Sequence, residues 1–444
     1  MGRAAIPPSK SAINRALVLA CLASGESFIW WGEGCDGGNA DGRGLANDVR
    51  LMCRGLKALG CELAIEDGGI RVFGGRRLRA VGYVDAGDAG TVLRFLLPLA
   101  ALHCDGPVEF VGSKRLFERP LAPLFDALAR LGAEWRPSES GQAGGVLVPA
   151  KGLADDAGLG IDIDGRPSSQ FISGLAMAVA GLEKGSYKVQ VTSYKVRTDA
   201  LCADGNGHSP APTSFLHLTQ SWLERFGCEA RLHEGGMEIP AGKLVGGSHR
   251  VYGDWGAAAA LFCAAAVLES EICVFPLSLN DCQPDSAILQ ILREAGCAWQ
   301  FDGDRCHFKG CLERGIESDL AHCPDLAPIL TAAAAFAPGA STLRGLGALP
   351  HKESDRLNGC IRLAEWLGAR ADLLDAADGP ALRIYGREFG PAGIAPIGPF
   401  DPQSDHRMAL GAAIGAMKLG GSILNPVCVD KSFPSFWGII APDR

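Results

Sequence analysis

The 444-residue chain carries no excess of positive charge: 42 Lys and Arg stand against 50 Asp and Glu, for a net charge of −8. That sign argues against nucleic acid or an anionic membrane surface as a general partner. An anionic small molecule would have to be held by a local basic cluster, against the global field. No apolar run is long enough to cross a bilayer. The longest, Trp255 to Leu268, is alanine-rich and well short of the roughly 20 residues a span requires, so it predicts a buried, tightly packed helix. The 16 cysteines include no CxxC pair. The closest two, Cys306 and Cys311, lack histidines spaced for zinc, although His307 lies beside Cys306. Cys21 and Cys263 fall in apolar runs, where a thiol behaves as a small hydrophobe. The expectation is free, reduced thiols, no metal, and a cytoplasmic address. No signal or transit pattern precedes Pro7. Mean hydropathy of +0.12 and 47% hydrophobic residues suit a compact protein of two or three domains.

What is present is a set of helix starts that break the usual charge rule. Pro7 and Pro8 force an extended approach, Ser9 or Ser11 can cap, and Ala16 to Leu22 predicts a helix closed by Gly25. Lys10 and Arg15 lie in its first turns, where the macrodipole disfavours cations unless an anion joins them. A helix N-terminus with free N–H groups is itself an anion site. The pattern recurs. Asp88-Ala89-Gly90-Thr91 with Arg94 opens Phe95 to Leu102, and Ser168-Ser169-Gln170 opens Phe171 to Leu182. Lys352-Glu353-Ser354-Asp355-Arg356 opens the helix leading to Trp366, and Asp405-His406-Arg407 opens Met408 to Lys418. One such start is two solvated cations; the set points to helix starts converging on a polyanionic ligand pair.

A unit also repeats: an amphipathic helix closed by a glycine, then two short strands around a turn. Gly60, Gly132, Gly227, Gly296 and Gly368 mark five copies at roughly 70-residue spacing, with one wider gap. A sixth copy is expected from the termini, with Asp405 to Ile423 and Lys431 to Trp437 meeting the first strand. The fold class is therefore α/β, built of α+β repeats in two domains. Residues 1–8 with 247–444 form one, residues 9–246 the other, and the site lies in the cleft between them. The Gly-, Asp- and Pro-rich stretch Ala203 to Thr213 reads as an inserted loop.

Two carboxylates sit among the cations. Asp325, after Pro324, starts an almost wholly apolar helix, and Glu353 lies between Lys352 and Arg356. Asp325 is either a plain N-cap or a proton acceptor, and Glu353 either a first-turn acid or a proton donor.

With Pro8-Ser9-Lys10-Ser11 and Arg15, Ala89-Gly90-Thr91 and Arg94, Glu118-Arg119-Pro120, Ser168-Ser169-Gln170, Pro324-Asp325, Lys352 to Arg356, Asp405 to Ala409, and Lys431, the chain resembles the enolpyruvyl transferases. Within them it is most similar to the 5-enolpyruvylshikimate-3-phosphate synthase family, from Pro7 to Trp437. The resemblance implies two domains of three βαβαββ units each. It implies transfer of the enolpyruvyl group of phosphoenolpyruvate to the 5-hydroxyl of shikimate 3-phosphate, with release of phosphate and no cofactor. This step belongs to the shikimate pathway to aromatic amino acids, and the family is the target of glyphosate. Phosphoenolpyruvate would meet Lys10, Gly90, Arg119, Gln170, Arg356, Arg407 and Lys431. Shikimate 3-phosphate would meet Ser11, Arg15, Ser168, Ser169, Gln170, Asp325 and Lys352. Thr91, Arg94 and His406 complete the binding set, and Lys10 and Lys431 join Asp325 and Glu353 as catalytic residues. The partners would be small molecules alone, and the chain a monomer.

Three positions depart from the family's usual pattern. Asp88 stands where an asparagine or small residue is common, and Ala348 where an asparagine is. Pro212-Thr213-Ser214-Phe215 lacks a tyrosine, leaving the acceptor-phosphate hydroxyl open between Ser209, Thr213 and Ser214. The leading strand ahead of the first motif is expected to be missing. The competing readings are a transferase for another acceptor, a UDP-N-acetylglucosamine enolpyruvyl transferase, and a paralogue that binds anions without catalysis.

Overall fold

The computed structural model describes residues 2–32, 44–138, 143–150, 160–192, 196, 213–376, 379–386 and 398–440. Each of the five helix-closing glycines has a positive φ, between 77° and 117°, a region that costs glycine little. Behind each lies an antiparallel hairpin, and each hairpin belongs to a four-stranded sheet. In every sheet two parallel strands are followed by the hairpin, whose second strand returns beside the second parallel strand.

In three sheets the parallel pair is joined directly through a helix. Val84–Asp85 leads through Gly90–His103 to Val108–Val111, and Gly160–Ile163 through Ser169–Ala180 to Ser186–Val191. Glu317–Asp319 leads likewise to Ala340–Arg344. The other two sheets trade first strands. Gly2–Ala5 pairs in parallel with Glu271–Phe275, and Ser248–Arg250 pairs in parallel with Gly25–Trp30. The chain crosses between two lobes at just these places. The crossovers lie side by side, with Ser9 N–H donating to the Tyr252 carbonyl at 2.9 Å and Asp254 N–H to the Pro7 carbonyl at 2.9 Å.

Two separate hydrophobic cores result. One gathers residues between Ala12 and Val251; the other gathers Ala4, Ile6 and residues from Trp255 to Phe436. The alanine-rich helix Trp255–Val267 is buried along its whole length in the second core, as its sequence predicts. Among the described residues no helix is long and apolar enough to cross a membrane. The described cysteines are free thiols.

Two expectations need correction. A leading strand exists, Gly2–Ala5. Its partner is Glu271–Phe275, so it does not complete a sixth unit with the C-terminal segment. That segment holds the helix His406–Leu419 and a single bridge between Phe400 and Ile423, with no four-stranded sheet among the described residues. Sheet pairing is non-local, and helix periodicity carries no record of which strand is borrowed. The inserted loop at 203–213 lies outside the described residues except for Thr213.

Candidate active site

In the second lobe, Asp355 caps the helix Arg356–Trp366 by accepting from Asn358 N–H at 3.1 Å, which sets Arg356 at its first position. Lys352 and Glu353 therefore precede the helix rather than open it. Arg356 is 1% exposed and all three of its guanidinium nitrogens are engaged. Nη1 donates to Asp325 at 2.7 Å and Nη2 to Glu353 at 2.9 Å, while Nε donates to Asp405 at 2.8 Å. Asp405 is also the cap of the helix His406–Leu419, accepting from Arg407 N–H at 2.9 Å. One buried cation thus fixes three carboxylates from three chain segments.

Asp325 sits in the turn Pro324–Leu326, and its carboxylate turns to Arg356 and to Lys352 Nζ at 3.0 Å. Burial raises its pKa, but Lys352, Arg356 and Arg407 together outweigh burial and hold it well below the usual carboxylate range. Glu353 behaves alike: burial raises it, and Lys431, Arg356, Arg119 and His406 carry it well down. Lys431 lies 3.3 Å from Glu353. Burial lowers its pKa, yet Glu353 and Asp48 raise it above the ordinary lysine value. In this state both carboxylates are ionised and Lys431 is protonated.

Arg407 has only distant carboxylates, Asp285 at 3.7 Å and Asp254 at 4.0 Å. Its Nε and Nη1 are buried without a hydrogen-bond acceptor among the described residues. Burial pushes Asp285 up to about 7, with Arg407 opposing. His406 is held neutral by burial and by Lys10 and Arg407.

The first lobe supplies the facing wall. Ser9 caps the helix Lys10–Leu22 through Ala12 N–H, and Lys10 Nζ meets Asp48 at 3.0 Å. Arg94 is buried, with Nη1 donating to Gln170 Oε1 at 2.8 Å and to Ser168 Oγ at 3.3 Å. Gln170 in turn donates to Thr91 Oγ1 at 3.0 Å. Arg94 Nε has no acceptor among the described residues, and burial followed by Arg119 lowers the Arg94 pKa well below the usual arginine value. Gly90 has no positive φ. Its role is room: a Cβ there would lie 2.8 Å from Arg119 Nη1 and 3.2 Å from Arg94 Nη1. Ser11 and Ser169 are half-buried at the first turns of their helices.

The lobes touch at this site. Arg119 Nε donates to the His351 carbonyl at 3.2 Å, and Lys431 Nζ to the Asp88 carbonyl at 3.0 Å. The Asp88 carboxylate, the unexpected negative charge, accepts from Ser113 Oγ and is thereby tied to a neighbouring helix cap.

Arg15 is placed differently from the rest. It points into the first core, donating to Thr219 Oγ1 at 2.8 Å, to the Ser11 carbonyl at 2.9 Å and to Ser173 Oγ at 3.3 Å. Its guanidinium lies over Phe95 and Phe215, and burial brings its pKa down to about 9. Of the acceptor-phosphate candidates, Ser214 caps the helix Phe215–Arg225 and bonds His217, while Thr213 Oγ1 is buried with no partner among the described residues. Ser209 lies outside the described residues. Sequence reasoning missed Asp48, Asp254 and Asp285 as counter-charges. The available signal for Asp48 was an acid on the otherwise apolar, buried face of the helix Asn47–Ala58.

The two-lobed architecture is that of the enolpyruvyl transferases. An EPSP synthase structure from Acinetobacter baumannii superposes with a TM-score of 0.68 at 22% identity, covering 99% of this chain and 94% of that one. The enolpyruvyl transferase NikO from Streptomyces tendae also gives 0.68, at 15% identity, covering 100% and 94%. The sequence narrows the class. The family model for EPSP synthase (3-phosphoshikimate 1-carboxyvinyltransferase) matches residues 1–203 and 210–440. A 3-phosphoshikimate 1-carboxyvinyltransferase of Methanoculleus marisnigri is 34% identical over 441 residues, 97% of this chain and 94% of that protein. One from Methanosphaerula palustris is 32% identical over 442 residues, 98% and 95%. The chain belongs to the EPSP synthase family.

Proposed function

We propose that the chain transfers the enolpyruvyl group of phosphoenolpyruvate to the 5-hydroxyl of shikimate 3-phosphate, releasing phosphate. The observation that carries this is the pair Asp325 and Glu353, clamped by one buried arginine with Lys352 and Lys431 in contact. Asp325, ionised, takes the hydroxyl proton. Glu353 gives a proton to the methylene carbon, the hydroxyl oxygen bonds to the adjacent carbon, and phosphate leaves as that proton returns. Glu353 is ionised before substrate arrives, so its proton comes after binding. The negative charges of phosphoenolpyruvate offset the cations that hold it down, and Lys431 is the near donor.

Phosphoenolpyruvate sits among Lys10, Gly90, Arg119, Gln170, Arg407 and Lys431, where Arg407 has Nε and Nη1 buried with no acceptor among the described residues. Arg356, expected to meet phosphoenolpyruvate, is spent on three carboxylates and acts as their holder. The acceptor meets Ser11, Ser168, Ser169, Gln170, Asp325 and Lys352. Most of the work is electrostatic: fixed charges face the developing ones in a cleft that excludes water. The lobe limits we propose are 9–251 and 1–8 with 252–444, a few residues later than the sequence suggests because Ser248–Arg250 pairs with Gly25–Trp30. One chain supplies both walls, so we assign a monomer. The many free thiols fit the reducing cytoplasm.

The inward turn of Arg15 favours one second reading, the same chemistry on a different acceptor. Release of inorganic phosphate from the two substrates, without added metal, tests both. Turnover with shikimate 3-phosphate is the expected result. Turnover only with another hydroxy acid would move the assignment to the second reading, and no turnover with any acceptor would reject both.

A further inference from the structure

Arg115 belongs to none of the groups above, yet it spans the cleft. It lies on the short helix Lys114–Glu118 of the first lobe, one turn before Arg119, and Ser113 caps that helix through Leu116 N–H at 3.1 Å. Its guanidinium reaches three backbone carbonyls of the second lobe: Glu353 and Lys352 at 3.3 Å each, and Pro350 at 3.5 Å. Arg119 holds His351 of the same turn. That turn carries Lys352 and Glu353, whose side chains face the reacting groups.

We propose that Arg115 is a positioning residue that latches the lobes and fixes the backbone of the turn 350–353, so that Glu353 and Lys352 are aligned only when the cleft is closed. The geometry supports this in two ways. A guanidinium offers five N–H donors in a planar fork and can serve several carbonyls at once, which a point-charge ammonium cannot. The latch helix is itself anchored to the first lobe's anion-site wall, because Ser113 also donates to the Asp88 carboxylate, and Asp88 receives Lys431 on its carbonyl. Asp88 thereby joins the latch. A first-lobe helix start, the latch helix and the second-lobe turn form one closed circuit of contacts.

The proposal rests on the enolpyruvyl-transfer reading for its catalytic consequence, not for its structural one, and two measurements separate them. X-ray scattering with phosphoenolpyruvate and shikimate 3-phosphate at saturation should give a larger radius of gyration for Arg115→Ala than for the unaltered chain. Steady-state phosphate release should show kcat falling by about 10- to 100-fold, the scale of a small misplacement of reacting groups. The melting temperature should hardly change, because Arg115 is exposed and lies outside both cores. Arg115→Lys should restore part of kcat. Equal radii for the two proteins, or an unchanged kcat in Arg115→Ala, would overturn the latch. So would a fall in kcat matched by loss of melting temperature. Should the unaltered chain release no phosphate while Arg115→Ala still swells, the latch stands and the functional reading fails.

Discussion

Asp325 is where the bland and the chemical readings of one residue part. A cap would give its carboxylate to the backbone N–H groups of the helix Ala327–Ala334. Instead both of its contacts are to cations, Lys352 and Arg356. Asp325→Asn keeps the shape and removes the proton acceptor. It should lower kcat by about 10²–10⁴-fold. The fold should survive with some loss of melting temperature, because Arg356 keeps Glu353 and Asp405 while Lys352 loses its carboxylate. A purely capping residue would leave turnover intact and cost about 1 kcal/mol, read from denaturant unfolding. At this scale the clustering was legible, though not the roles: Lys352, Glu353, Arg356 and Lys431 meet around Asp325, and Gly90, Arg94, Arg119 and Gln170 lie together on the facing wall. What was not legible is who compensates whom. Arg356 reaches partners 31 and 49 residues away, and Arg15 spends its donors on Ser173 and Thr219, 158 and 204 residues away. No local pattern encodes such distances.

Elements were easier than pairings. The helix starts at Ser9, Ser168, Asp355 and Asp405 are all side-chain caps, a signal confined to three or four residues, so the sequence places these helices to within a turn, although it opens the third one too early, at Lys352. The exchange of first strands between sheets leaves no such trace. Nor does the way helices Gly90–His103 and Ser169–Ala180 approach each other. Pro98 lies inside the first and cannot donate to the Arg94 carbonyl one turn back. Gly174 of the second helix sits against that carbonyl, and a Cβ on it would lie 2.4 Å from the oxygen. Gly174→Ala gains up to about 1 kcal/mol of helix propensity. Forcing the backbones apart costs typically 1–3 kcal/mol. The overlap is with a carbonyl rather than a movable side-chain end, so the second effect wins. Urea unfolding should show a net loss of stability, and phosphate release a higher KM for phosphoenolpyruvate, because Arg94 and Gln170 sit at that contact. A stabilised variant would mean the helices are further apart than described.

On the scale of the whole molecule, the two cores share no apolar residues and are joined by two adjacent crossovers. The contacts across the cleft at the site are hydrogen bonds from Arg115, Arg119 and Lys431 to backbone carbonyls. Contacts of that kind couple two lobes weakly, since each contributes about 1 kcal/mol net and more than one is solvent-exposed. Repulsion among the cations of the cleft is relieved in part, because Lys10, Lys352, Arg356 and Lys431 already face carboxylates. The unliganded protein should therefore melt in two calorimetric transitions, one for each core. Phosphoenolpyruvate and the acceptor together contact both walls, so they add a linkage that neither lobe has alone. At 100 times the dissociation constant a ligand bound only to the native state contributes about 2.7 kcal/mol. Both substrates present at that level should merge the transitions into one at higher temperature, whereas phosphoenolpyruvate alone should narrow the gap without closing it. A single transition in the unliganded protein would mean that the lobes form one cooperative unit and that the cleft contacts count for far more than their chemistry implies.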